Sequence, residues 1–311
     1  MKTKYNNAIR IFSGMACAAL LSAGCTKADL DDDFTKGDPP PIGAYTNSNE
    51  IAPGDLVAYF PFEGNATDVK GAATNPVMKG SGSFVAGKKG LAYQGATDAW
   101  IEYASPGALG SLTSFTVSMW INTNKHDGGA QGVWAVAKQD GSFWGNFFML
   151  IESAGPNDNM LAKVHFEKNG VPNVEHWLET TGKIRSDFMR DMYGAWRHVA
   201  FTYNEVTSKF FMYVNGTKLP FNDNTITPPR TDEDRFASGS APNGTRLGPL
   251  SFKSATRFVI GAYQNQLGAP FNNPEPWMLP YTGKLDELRF YKRALNDQEV
   301  EALFQLEKQG R

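Results

Sequence analysis

The sequence predicts an all-β fold, a sandwich of two antiparallel sheets. Three observations lead there: apolar residues alternate with period two, turn residues separate those runs, and helix signal is confined to the end of the chain. Aromatic residues at 13%, with 31 Gly and 18 Pro, suit many strands joined by turns.

Residues 56–62 (LVAYFPF) form an apolar opening strand. In 115–121, Phe115, Val117, Met119 and Ile121 share one face. Segments 134–137 and 147–151 are apolar throughout and predict central strands. Residues 199–203 alternate again, and 209–214 run into Asn215-Gly216, a dipeptide suited to a type I′ hairpin because both positions need positive φ. Segments 257–261 and 285–291 supply late strands. Asn296 followed by Glu299 predicts a capped helix start, with Val300, Leu303 and Phe304 at helical spacing behind it. Two stretches, 153–195 and 217–255, break the strand spacing. Loops of that length are often functional, and decoration of a sheet edge is the competing reading.

The beginning of the chain reads as an export signal. Lys2, Lys4 and Arg10 precede a short apolar run that ends in Leu21-Ser22-Ala23-Gly24-Cys25. That ending resembles a bacterial lipobox, although Ser22 stands where Leu is usual; an ordinary cleavable signal is the alternative. The resemblance makes residues 1–24 a lipoprotein signal peptide and Cys25 the lipidated residue. Both cysteines, Cys17 and Cys25, lie here, so the mature chain forms no internal disulfide. Loss of Lys2, Lys4 and Arg10 moves the net charge from −2 to −5, and no basic tract remains, which argues against nucleic acid as a partner. Residues 25–54, acidic and Pro-rich, read as a solvated tether. The acids after Cys25 are similar to the surface-export signal of Bacteroidota lipoproteins, with a plain spacer as the alternative. The expected place is the outer membrane, lipid-anchored and facing outward.

Four segments together resemble one family. Residues 56–68 pair an aromatic strand with Glu63-Gly64-Asn65 and Asp68. Residues 114–121 end a strand at Trp120. Residues 196–203 and 211–216 form a strand pair, and 283–295 close the series. In this order they resemble laminin G-like domains of the concanavalin A-like lectin/glucanase superfamily. The resemblance implies one jelly-roll domain over 55–307. It also implies calcium in many relatives, with Asp68 and Asp286 the matching metal ligands here, helped by carbonyls near Asn65 and Gly71. From its parity with Leu288 and Phe290, Asp286 is expected to point into the core; capping of backbone N–H groups, or pairing with Arg289 or Arg293, is the competing reading. The four histidines show no ligand spacing, and His198 reads as structural.

No apolar strand carries the alternating acids of a glucanase cleft. Asp232-Glu233-Asp234 lies in a polar stretch, and Glu167 and Glu175 are divided by Asn169-Gly170. A non-enzymatic function is therefore expected: a lipid-anchored extracellular binding module for a glycan or a surface protein. The alternatives are a glycoside hydrolase of concanavalin A-like fold and a structural subunit of an outer-membrane uptake complex. Trp144, Trp177 and Trp277, in Gly/Pro/Asn-rich or irregular surroundings, are the candidate ligand-binding residues, unless each anchors its own loop.

Overall fold

A computed structural model describes residues 39–153, 160–169, 178–179, 189, 191–219, 222–223, 230–231, 234–237 and 245–311. The signal peptide, Cys25 and the acidic run lie outside these residues, as do Trp177, Glu175, Asp232 and Glu233. The compact unit spans Pro40–Arg311.

The chain opens with β1 (Leu56–Phe60), β2 (Thr74–Lys79), β3 (Ser83–Ala86), β4 (Leu91–Gln94) and β5 (Trp100–Ser105). Next come β6 (Phe115–Asn122), β7 (Ala130–Lys138), β8 (Phe147–Ile151), β9 (Ala162–Phe166) and β10 (Leu178–Glu179). The hairpin β11 (Arg197–Asn204) and β12 (Lys209–Val214) is followed by β13 (Thr217–Lys218) and a separate pair, β14 (Asn222–Asp223) and β15 (Arg230–Thr231). The last elements are β16 (Ala255–Ile260), β17 (Met278–Pro280), β18 (Lys284–Tyr291) and helix α1 (Asp297–Lys308). Sheet one runs β13-β12-β11-β6-β18-β4-β3, with β1 on β18. Sheet two runs β10-β9-β8-β7-β16-β5-β2, with β17 parallel to β7.

The alternation read from the sequence sets the faces. Phe115, Val117, Met119 and Ile121 are all buried in one core with Phe201 and Phe290. That core interlocks across the sheets: the Trp134 ring of β7 lies 5.2 Å from Phe290 of β18, and Phe115 of β6 lies 4.5 Å from Phe147 of β8. Asn215 and Gly216 take positive φ, 49° and 79°, as the hairpin turn requires. The long stretch 153–195 contributes β9, whose Ala162, Val164 and Phe166 join the core, so part of it extends sheet two.

The outer face of sheet one is also closed. Asn296 caps α1 by accepting from the Glu299 N–H at 3.0 Å, and the Glu299 carboxylate accepts from the Asn296 N–H. Val300, Leu303 and Leu306 then pack with Tyr59, Ala200, Tyr213 and Tyr291. Ile42, Tyr45 and Ile51 join this layer, so chain expected to be tether up to residue 54 is docked from about Ile42. These apolar side chains cover surface that the helix leaves open.

Beneath the helix sits a buried guanidinium. Arg289 donates to Glu307 and Glu287 at 2.8 Å each, to Asn49 at 2.8 Å and to Ser48 at 3.3 Å. Its charge also lies 3.8 Å from the centre of the Tyr59 ring. Replacing it with methionine strands two buried carboxylates. Arg289→Met is expected to lower the unfolding free energy by about 3–5 kcal/mol in urea titration; a loss within error would remove this role.

His198, structural as expected, is fully buried with its Nε2 2.8 Å from Ser118 Oγ, and burial pushes it down to about 3. The unfolded chain takes up that proton near the ordinary value of about 6.5. The contribution of His198 is thus complete above that pH and is lost as pH falls toward the folded value. Asp286, pushed up to about 7 by burial, and Glu307, also raised by burial, act in the opposite sense. Comparison with His198→Gln isolates the histidine. The stability advantage of the wild type should shrink between about pH 7 and pH 4; a constant difference would contradict the assignment.

Candidate binding site

The outer side of sheet two carries two loops, 139–146 after β7 and 261–277 after β16. Amide side chains latch them together. Gln264 accepts from the Lys138 N–H at 2.7 Å and donates to the Ser142 carbonyl at 3.0 Å. Asn272 donates to the Gly141 carbonyl at 3.1 Å, and Asn146 holds Lys253 through both its oxygen and its nitrogen. Tyr263 donates to the Ala130 carbonyl, while the Ala130 N–H donates to Trp277. The sequence folds this way because short polar residues and Gly141, at φ 80°, satisfy the tight backbone locally.

The latches bring rings together. Trp144 and Trp277, far apart in sequence, stand 5.8 Å apart, and Phe143 lies 4.8 Å from Trp144 and 6.3 Å from Trp277. Trp277 is 36% exposed; Phe143 and Trp144 are half-buried. Trp144 stacks on Phe148 at 16°, and Phe148 stacks on His165. Below, the Glu167 carboxylate lies 3.2 Å from His165 Nε2 and 2.7 Å from the Lys138 ammonium, all fully buried. Burial holds His165 below its ordinary value against the pull of Glu167. Two of the three candidate tryptophans thus form one platform with its orientation set from beneath. Phe143, Tyr263 and Gln264 escaped sequence reasoning; the adjacent Phe143-Trp144 pair beside a glycine was the one local signal.

The two candidate metal ligands lie apart in function. Asp68 accepts from the Tyr59, Lys70 and Ala73 N–H groups at 2.8–2.9 Å. Asp286 accepts from Lys88, Lys89 and Glu287 at 2.7–2.9 Å. Among the described residues they share no partner, and the Asp68 carbonyl itself accepts from the Gly71 N–H. Calcium needs six to eight oxygens, whereas these carboxylates are ringed by N–H donors, so they do not fit a calcium site. Among the described residues no group of three His, Cys, Asp or Glu is placed to hold a metal. Asp286 also lies on the opposite side from that expected. It faces Trp120 across the ladder, on the outer face, while Leu285, Leu288 and Phe290 point inward. Glu287, at φ 49°, makes a bulge that resets the parity between them.

Residues 95–248 match a family model, that of the concanavalin A-like lectin/glucanases superfamily. The chain carries a concanavalin A-like domain. No curated protein matches it. Among solved structures it is similar to domain 4 of AbnA, a GH43 extracellular arabinanase from Geobacillus stearothermophilus, in complex with arabinotriose. Identity there is 18%, over 80% of this chain and 98% of that one, with a TM-score of 0.51. It is also similar to the binding domain of botulinum neurotoxin DC in complex with SialylT: 10% identity, 83% and 52% coverage, TM-score 0.50. The same domain in complex with rat synaptotagmin II gives 10%, 81% and 51%, and 0.50. The chain spans about half the length of these neurotoxin domains, and at such identities the likeness is one of fold.

Several acids of this concanavalin A-like domain each face a cation. Glu167 meets Lys138, Glu299 meets Arg293, Glu287 and Glu307 meet Arg289, and Asp234 meets Lys209 and Arg246. If Asp68 and Asp286 hold backbone alone, EDTA leaves the melting temperature unchanged. Asp68→Asn, which turns an amide donor toward N–H groups, costs about 1–3 kcal/mol. A drop of several degrees in EDTA would restore the metal reading.

Proposed function

We propose that the chain is a non-enzymatic binding module that recognises a glycan on the Phe143–Trp144–Trp277 platform. The observation that carries this is the pairing of Trp144 with a Trp277 that remains 36% exposed, on loops latched by amide hydrogen bonds. Sugar C–H faces stack on such rings, and a platform ordered in advance loses little conformational entropy on binding. A glycan fits better than a protein surface, because three rings offer far less than the ~800 Å² per partner of a stable protein interface. The similar structures solved with arabinotriose and SialylT give the reading support of the same kind. The domain-4 fragment belongs to an arabinanase, and a carboxylate pair remains the requirement for a hydrolase.

We further propose that Cys25 carries the lipid and that residues 26–41 tether the module at the outer membrane, facing outward. The lipobox-like ending at Cys25 and the acidic, Pro-rich run after it support this. Cys25→Ser should then release the protein from the membrane fraction.

The central test is a polysaccharide array followed by calorimetry on the best ligand. Trp277→Ala should weaken binding about tenfold or more while the melting curve holds. Reducing-sugar assays on the same ligand should show no release. Unchanged affinity in Trp277→Ala would overturn the site, and sugar release would overturn the non-enzymatic reading.

A further inference from the structure

The outer face of sheet one opens into a groove of about 580 Å³ between the β11–β12 hairpin and the turn into α1. Its floor is Thr202, Phe211 and Tyr213, which alternation turns outward, since Phe201, Phe210 and Met212 fill the core. The apolar buried contacts of the helix begin at Val300, while its first residue, Asp297, reaches the hairpin through the Tyr213 hydroxyl, and Phe211 is left half-covered. The volume lies in the range of small-ligand sites.

The chemistry of the walls is specific. Asn204 spends its oxygen on the Val206 and Thr207 N–H groups, at 2.9 and 3.1 Å, and Asn296 spends its oxygen on Glu299. Among the described residues neither side-chain NH₂ donates to a protein acceptor. Two carboxamides pinned by their oxygens therefore line the groove with NH₂ donors in reserve, beside Thr207 and Gln298. Charge is compensated within the protein. Asp297 is held by the Lys218 ammonium at 2.6 Å and the Tyr213 hydroxyl at 2.8 Å, which keep it below its ordinary value against desolvation. Lys209 lies 3.8 Å from Asp234. Lys218, outside the groove, also lies 4.6 Å from the centre of the Phe211 ring, which backs that part of the floor. A surface with an aromatic floor, fixed amide donors and charged groups that already face partners of opposite sign suits a neutral polyhydroxylated ring rather than an anion or a cation.

We propose that this groove is a second saccharide subsite, taking a neutral sugar ring or two, on the face of the sandwich opposite the tryptophan platform. The class of ligand accords with the proposed function, but the location does not depend on it. The two outer faces point away from each other, so one short oligosaccharide cannot bridge them, and the module would hold two glycan segments independently.

The test follows backbone amide NMR signals of the isotope-labelled chain on adding arabinotriose, xylotriose, cellotriose or maltotriose to about 10 mM, above a millimolar Kd. At least one sugar should shift the amides of Asn204, Phe211 and Gln298 in wild type and in Trp277→Ala alike. Phe211→Ala should abolish those shifts. Gln298→Trp, an exposed helix position whose ring would fill the groove, should abolish them with the core untouched. Shifts confined to the platform would overturn the groove and leave the proposed function standing. Shifts confined to the groove would do the reverse. No shift at the groove with any of the four sugars would overturn this proposal.

Discussion

A guanidinium buried beneath the C-terminal helix holds the outer layer of this protein together. Arg289 is inaccessible to water, so every N–H it owns must find an acceptor inside the fold. Those acceptors come from separate parts of the chain: Ser48 and Asn49 before the first strand, Glu287 on its own strand, and Glu307 in the last turn of the helix. The carboxylates are held in turn, Glu307 by the Trp120 indole N–H and Glu287 by the Tyr59 hydroxyl. Removing any one member leaves another polar group stranded. The network therefore specifies where the helix lies, which a purely apolar contact would leave freer to slide. Because the helix lies there, its first turn overhangs the β11–β12 hairpin and a groove exists between them.

The two outer faces are closed by different means. On sheet one a helix and an N-terminal segment supply the cover, and the polar network sits inside it. On sheet two the cover comes from loops, and amide side chains replace the regular ladder. Gln264, Asn272 and Asn146 satisfy loop carbonyls and N–H groups that a sheet would have paired, so the loops are irregular without being loose. The stack Trp144–Phe148–His165 then ends on a buried Lys138–Glu167 pair, which anchors the platform from below. Trp277, 36% exposed, is thus held beside this stack by loops that amide hydrogen bonds latch together.

The sequence carried some of this openly and concealed the rest. Alternation in 115–121 and 199–203, the Asn215-Gly216 turn and the Asn296 cap all depend on neighbours a few residues away, and each appears where expected. Asp286 shows the limit. Counting by twos from Phe290 turns it inward, but a single left-handed residue, Glu287, inserts a bulge and moves it to the outer face. Likewise the family resemblance offers Asp68 and Asp286 as cation ligands. Their backbone N–H partners carry no mark in sequence, because every residue except proline has one. Strand β9 falls in the stretch that reads as a break in the strand spacing, because the polar residues around Ala162, Val164 and Phe166 hide their alternation.

By itself, then, the sequence determined what local rules govern: strand periodicity, the turn, the helix cap and the all-β class. The tertiary structure alone decided which side chains meet across long separations. Trp144 finds Trp277, Arg289 finds Ser48 and Glu307, and the helix start finds the hairpin of Phe211. The reason is physical. Periodicity is imposed by the backbone within a strand, whereas a site is assembled by packing that closes only when two sheets, their loops and their covers are all in place.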